Sequence, residues 1–285
     1  MEAKDKAFLV KRTLNVRGRL VDLSQPQVMG IINATPDSFY SGSRVSDMEA
    51  IVERAGTMLQ EGALFLDIGG YSTRPGAAEV SVAEEAERVL PAIEAFAKYF
   101  PEAILSIDTF RAEVARQALA AGAHIVNDVS GGDLEEAMWQ VVADAQAVFC
   151  LMHMRGTPQN MAQKTEYTDV VKEVMEDLAR KCQLAIRLGI HDFMIDPGIG
   201  FAKTVEQNYA ILKNLAYFQG LKAPLLLGVS RKSLIWRPLS VSAEQALNGT
   251  TALHMHALQQ GANILRVHDV KEAKECIELF KLLQD

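Results

Sequence analysis

One local pattern limits the fold more than any other: a glycine, a short apolar run, then a polar residue. It occurs at Gly62-Ala-Leu-Phe-Leu-Asp67, Gly122-Ala-His-Ile-Val-Asn127, Gly189-Ile-His-Asp-Phe-Met-Ile-Asp196 and Gly261-Ala-Asn-Ile-Leu-Arg-Val-His268. Each glycine follows a helix-like stretch and suits the left-handed position just past a helix end. Each apolar run is too short for a helix and rich in Ile, Val, Leu and Phe. Such a run reads as a strand buried on both faces, the habit of parallel sheets. Four more runs, Gln27–Asn33, Ala103–Asp108, Ala147–His153 and Pro224–Ser230, bring the total to about eight.

Amphipathic stretches lie between the runs. Ser46-x-x-Glu49, Ser81-x-x-Glu84, Thr204-x-x-Gln207 and Ser242-x-x-Gln245 match the capping box that starts a helix. From about Thr168 to Leu188, Val170, Val174, Leu178, Cys182 and Ala185 recur at helical spacing. Evenly spaced β-then-α units predict an α/β fold, a (β/α)8 TIM barrel. A doubly wound sheet shares the local pattern and is the alternative. The segment from Phe8 to Leu23 alternates and turns at Arg17-Gly18, which predicts a β-hairpin closing the barrel bottom. The whole chain, 1–285, reads as one domain, with 1–25 as the hairpin extension.

Hydrophobic residues make up 49% and charged residues 23%, which excludes disorder, collagen and coiled coil. No apolar run reaches the roughly 18 residues that span a membrane. The start, Met1-Glu-Ala-Lys-Asp-Lys, lacks the apolar stretch of a secretion signal. Cys150, Cys182 and Cys276 form no metal or disulfide spacing, so a reducing cytoplasm is the expected location. The net charge of −7, with no Lys/Arg block, argues against nucleic acid or an anionic membrane as partner.

In barrels the chemistry sits at the C-terminal strand ends. Here those ends are Asn33, Asp67, Asp108, Asn127, His153, Asp196, Ser230 and His268. Any one of them could simply cap the next helix. Eight polar ends at one mouth are harder to explain as caps, and His268 and Asn33 are poor ones. Arg266 and His268 share strand parity with Ile264 and face one way, as an anion would require. The competing reading pairs Arg266 with a carboxylate such as Asp269. Asp196 precedes a glycine-rich turn and can accept two parallel hydrogen bonds from a guanidine-like edge. Lys232 could form a Schiff base or donate to a ligand carbonyl. The long segments Thr35–Arg44 and Tyr71–Ala77 read as mobile lids over that mouth.

Taken in order, seven motifs resemble the dihydropteroate synthase family. They are Asn33-Ala-Thr-Pro-Asp-Ser-Phe39, Asp67-Ile-Gly-Gly-Tyr-Ser-Thr-Arg-Pro-Gly76, Ser106-Ile-Asp108-Thr, Ile125-Val-Asn127-Asp, Asp196-Pro-Gly-Ile-Gly-Phe201-Ala-Lys, Ser230-Arg-Lys-Ser233 and Arg266-Val-His268-Asp. The resemblance covers about Val28 to Val270. It implies a transferase of folate biosynthesis that joins 4-aminobenzoate to 6-hydroxymethyl-7,8-dihydropterin pyrophosphate. By that resemblance Asp108, Asn127, Asp196 and Lys232 bind the pterin. Asn33, Thr73, Arg74, Arg266 and His268 hold the pyrophosphate, with Mg²⁺ bridging it near Asn33. Ser72, Thr73, Pro75, Phe201, Lys232 and Ser233 shape the 4-aminobenzoate pocket. The implied mechanism is dissociative: pyrophosphate leaves first and the amine attacks a pterin cation, with no protein nucleophile. Asp37 is the candidate for stabilising that cation, beside Lys232, Arg266 and His268 as catalytic groups. The resemblance also implies sulfonamide as an inhibitor and a homodimer.

The chain departs from the family's habit at Ala34 (commonly Val), at Tyr71 (commonly Glu) and at Ser41-Gly42-Ser43 (commonly Asp-Gly-Gly). Three rival functions remain at this stage. A pterin-binding methyltransferase would have no use for Arg74, Lys232 and the Arg266/His268 pair together. A binding-only barrel would have lost Asp37, Thr73 and Arg74. A Schiff-base aldolase would be trapped by borohydride.

Overall fold

Every apolar run forms a strand, and eight strands lie parallel in one sheet. The computed structural model describes residues 11–34, 44–72 and 79–284. A hairpin comes first, β1 (Thr13–Val16) antiparallel to β2 (Arg19–Asp22). The parallel strands are β3 (Gln27–Asn33), β4 (Phe65–Gly69), β5 (Ile104–Asp108), β6 (Ile125–Asp128), β7 (Val148–Met152), β8 (Phe193–Asp196), β9 (Leu226–Leu227) and β10 (Ile264–Val267). They run β8-β7-β6-β5-β4-β3-β10-β9, and a parallel bridge between Ile195 and Leu225 brings β8 back beside β9. The sheet therefore curls into a barrel, and the doubly wound alternative falls. The seventh parallel strand is shorter than its apolar run, with only Leu226–Leu227 in the ladder.

Helices α1 (Arg44–Gln60), α2 (Val82–Tyr99), α3 (Ala112–Ala121), α4 (Ala137–Asp144), α5 (Val170–Arg187), α6 (Val205–Lys213), α7 (Ser233–Leu239), α8 (Leu247–Gln259) and α9 (Val270–Leu282) alternate with the strands. The connection from β9 to β10 carries two of them, α7 and α8. Gly62, Gly122, Gly189 and Gly261 all have positive φ, as expected for residues just past helix ends. Ser81 and Thr204 each form the full reciprocal capping box. The other two boxes differ. Ser46 lies inside α1, which already begins at Arg44. Ser242 belongs to a turn ahead of α8, where its N–H donates to the Gln245 side chain at 3.1 Å. On α5 the expected face is buried, with Lys181 added to it, and Asp169 caps the start.

The strand period of two sorts side chains into two cores. Outward residues such as Val28, Leu66, Leu105, Val126, Phe149, Ile195 and Leu265 pack under the helices. Inward residues Met29, Phe65, Ile104, Ile125, Val148, Met194, Leu226 and Ile264 fill the lower barrel, and Leu14, Val16, Val21 and Leu23 of the hairpin close it from below. The predicted plug is thus observed. All three cysteines are free and buried. Among the described residues, no helix is long and apolar enough to cross a membrane.

Candidate active site

One step above the apolar floor, the same inward parity turns polar. Asp67, Asn127 and Arg266 follow Phe65, Ile125 and Ile264 at two-residue intervals. Asp67 is fully buried. Its Oδ2 accepts from Asn127 Nδ2 at 2.9 Å and from Arg266 Nε at 2.6 Å. Arg266 Nη2 donates to Asp108 Oδ2 at 2.6 Å. Arg266 thus joins β4, β5 and β10 across the barrel mouth. Asp67 Oδ1 and the Ser106 hydroxyl, both buried, have no hydrogen-bond partner among the described residues. Buried polar atoms without partners are costly, and a cluster of them in a barrel core points to a ligand site.

The opposite wall is the turn after β8. Asp196 Oδ1 accepts from the Gly198 N–H at 2.7 Å. Lys232, the residue before α7, donates from Nζ to the Ile199 carbonyl at 2.6 Å and lies 4.7 Å from the Phe201 ring centroid. Ser233 opens α7 beside it. The Ser230 hydroxyl pairs with His268 Nδ1 at 3.0 Å and accepts from the His268 backbone N–H at 3.2 Å.

Burial dominates the electrostatics. It pushes the Asp108 carboxyl up to about 7, against the pull of Arg266. It also raises Asp196, opposed by Lys232. Lys232 is pushed down to about 8 by burial, and Asp196 works the other way. Carboxylates and cations with shifted ionisation gathered in one cleft are the pattern that functional sites share.

The structure brings together Asp108, Asn127, Asp196, Lys232, Arg266 and His268 at one end of the barrel. Asn33 ends β3 and is exposed, with Gly69 as its ladder partner. Ser72, Phe201 and Ser233 are half-buried at the ends of their loops. Asp37, Thr73, Arg74 and Pro75 lie outside the described residues. The alternative that pairs Arg266 with a carboxylate holds, but its partners are Asp67 and Asp108, not Asp269. Asp269 is forked by Arg231 Nε and Nη2, both at 2.8 Å, because Asp269 starts α9 while Arg266 points into the barrel. Tyr71, where the family commonly has Glu, is buried. Its ring stands edge-on to Phe110 at 5.3 Å, and its hydroxyl accepts from Gln159.

Three buried residues carry more than the sequence reading assigned them. Asp67 is the hub of the polar layer, a role that its parity with Phe65 makes legible. Lys203 and His153 lie beneath the turn after β8, their Nζ and Nδ1 3.0 Å apart. Nothing in the local sequence joins them, since they are 50 residues apart.

Residues 29–268 match the pterin binding enzyme family. The chain is 43% identical over 272 residues to dihydropteroate synthase of Escherichia coli K12, covering 94% of this chain and 95% of that one. The crystal structure of Yersinia pestis dihydropteroate synthase with a sulfonamide drug is 40% identical and superposes with a TM-score of 0.89, covering 95% and 99% of the two chains. The enzyme from Xanthomonas albilineans in complex with 7,8-dihydropteroate is 37% identical with a TM-score of 0.86, covering 95% and 98%. With this coverage, and with the described parts of the family's motifs placed around one barrel mouth, the chain belongs to the pterin-binding enzymes and, within them, to the dihydropteroate synthases.

Proposed function

We propose that the polar end of this barrel holds 6-hydroxymethyl-7,8-dihydropterin pyrophosphate and 4-aminobenzoate, and joins them into 7,8-dihydropteroate through the residues named below. Condensation to dihydropteroate is the reaction of the family to which the chain belongs. The observation that carries the residue assignment is the inward-facing layer Asp67, Asn127, Asp196 and Arg266, with Lys232 and Asp108 at its rim.

Asp196 accepts the paired N–H donors of the pterin's guanidine-like edge, geometry that suits a carboxylate. Asn127 and Asp108 take neighbouring ring atoms, and Lys232 donates to the ring carbonyl or nitrogen. Arg266 keeps further N–H groups beyond those given to Asp67 and Asp108, and with His268, Thr73, Arg74 and Asn33 they receive the pyrophosphate. Ser72, Thr73, Pro75, Phe201, Lys232 and Ser233 enclose the 4-aminobenzoate. The carbon–oxygen bond to pyrophosphate breaks first, with these cations stabilising the leaving charge. The amine then forms the carbon–nitrogen bond and sheds a proton. Asp37 stabilises the methylene cation between the two events.

Among the described residues, no three His, Cys, Asp or Glu side chains gather as a metal centre. Asn33, an exposed residue at the end of β3, carries an amide oxygen of the kind that suits a hard cation held mainly by substrate phosphates and water. Mg²⁺ there would neutralise the leaving pyrophosphate. The enzyme acts in the cytoplasm as a homodimer.

The test is to mix the protein with the pterin pyrophosphate and Mg²⁺, with and without 4-aminobenzoate, and follow dihydropteroate by chromatography. Product only with both substrates, competed by a sulfonamide, supports the reading. Bound pterin without product removes the anion-site and loop assignments. Asp196→Asn is expected to weaken pterin binding about 10- to 100-fold, the usual weight of a charge-assisted bidentate contact.

A further inference from the structure

The turn that presents Asp196 and anchors Lys232 is itself held by one buried ammonium. Lys203 Nζ donates to the Gly198 carbonyl at 2.9 Å and to the Phe201 carbonyl at 3.0 Å, and lies 3.0 Å from His153 Nδ1. An ammonium has three protons, and here it has three acceptors. The same turn gives the Gly198 N–H to Asp196, the Ile199 carbonyl to Lys232, and the Phe201 ring beneath the Lys232 cation. Both pterin-facing groups therefore rest on backbone that Lys203 ties down.

The surroundings close this arrangement. Gly198 has φ +69, and a Cβ there would stand 2.0 Å from the His153 carbonyl, so the turn fits against His153 only as glycine. The His153 backbone N–H donates to the Asp196 carbonyl at 3.1 Å. On the far side the Gly200 N–H donates to Asn208 Oδ1 at 2.7 Å, and Tyr167 Oη donates to the Ala202 carbonyl at 3.1 Å. Burial and then the Lys203 charge push His153 down to about 2, so its ring is neutral, and with the proton on Nε2 the Nδ1 atom accepts from the Lys203 ammonium. Burial pushes Lys203 itself down to about 7, against the pull of Asp196.

We infer that Lys203 and His153 are positioning residues for pterin recognition: the Lys203 ammonium, seated on His153 Nδ1, locks the Gly198–Phe201 turn so that Asp196 and Lys232 are pre-aimed at the pterin. Neither touches substrate. The inference rests on the proposed roles of Asp196 and Lys232 as pterin-binding groups.

Two readouts test it. The first is calorimetric binding of 6-hydroxymethyl-7,8-dihydropterin, which reads the pterin pocket without the anion site. The second is hydrogen exchange of residues 197–203 in the ligand-free protein, which reads the turn without any ligand. Lys203→Met keeps the apolar stem and removes the three donors. His153→Leu removes the acceptor, and His153→Asn restores an acceptor near the Nδ1 position.

Lys203→Met and His153→Leu are expected to weaken pterin binding about 10-fold or more and to speed exchange in 197–203 by a similar factor, as loss of a buried charged hydrogen bond implies. His153→Asn should recover most of both. Pterin binding and exchange within twofold of wild type in Lys203→Met overturn the inference. So does a His153→Asn variant no better than His153→Leu, which remains readable if Lys203→Met fails to fold. Faster exchange in a protein that makes no dihydropteroate leaves the inference standing and removes the proposed reaction instead.

Discussion

At the scale of single residues, the site carries charges where burial opposes them. Burial pushes the Asp108 carboxyl up from an ordinary 3.8 to about 7, against the pull of Arg266. Between those values the native state keeps a proton that the unfolded chain has released, so the unfolded state binds fewer protons. Stability from this group is then highest below pH 3.8, falls as pH rises toward 7, and levels off above it. Asp108→Asn removes that slope. Urea unfolding at pH 5 and pH 8 should show the wild type losing more stability over the interval than the variant. Equal losses would mean that Asp108 ionises as an ordinary carboxyl. Fully buried Asp67, a charge cut off from solvent, is stabilised by Asn127 and Arg266 instead.

At the scale of elements, local signals acted where they closed on themselves. Ser81 and Glu84 are three residues apart, and each satisfies the other's backbone N–H at the start of α2. Ser81→Ala is expected to cost about 1 kcal/mol of unfolding free energy, read as a lower urea midpoint, with unchanged turnover. The same motif at Ser242 makes only half of the box, because the chain turns before entering α8. Strand ends were legible by parity: Arg266 faces inward because Ile264 does. Its partner was not. Asp67 and Asp108 lie 199 and 158 residues away, and only the neighbouring positions of β4, β5 and β10 in the barrel mouth bring them to one guanidinium.

At the scale of the whole molecule, the barrel divides into an apolar lower half and a polar upper half. The hairpin seals the first, and the strand ends build the second. Leu14 lies fully buried in the plug, on the floor that also holds Phe65 and Ile264. Leu14→Ala is expected to cost about 3 kcal/mol of stability by leaving a cavity. Because it sits at the opposite end from the site, pterin binding by calorimetry should stay within about twofold of wild type. A large loss of affinity would mean that the two halves are mechanically coupled.

The sequence by itself determined the class of fold, the strands and the starts of α2 and α6, since these follow from spacing over a few residues: a capping box, glycine after a helix, an apolar run, a polar end. Through strand parity and ordered motifs it also pointed to Asp108, Asn127, Asp196, Lys232, Arg266 and His268, which the structure brings to the mouth, while Asp37, Thr73, Arg74 and Pro75 lie outside the described residues. Tertiary structure alone decided which of them touch. Closure of the sheet is what sets Arg266 on Asp67 and Asp108, gives Asp269 to Arg231, and slides Lys203 under the turn beside His153. Those contacts depend on the curvature that brings distant strands to one axis, and no local spacing along the chain encodes that distance.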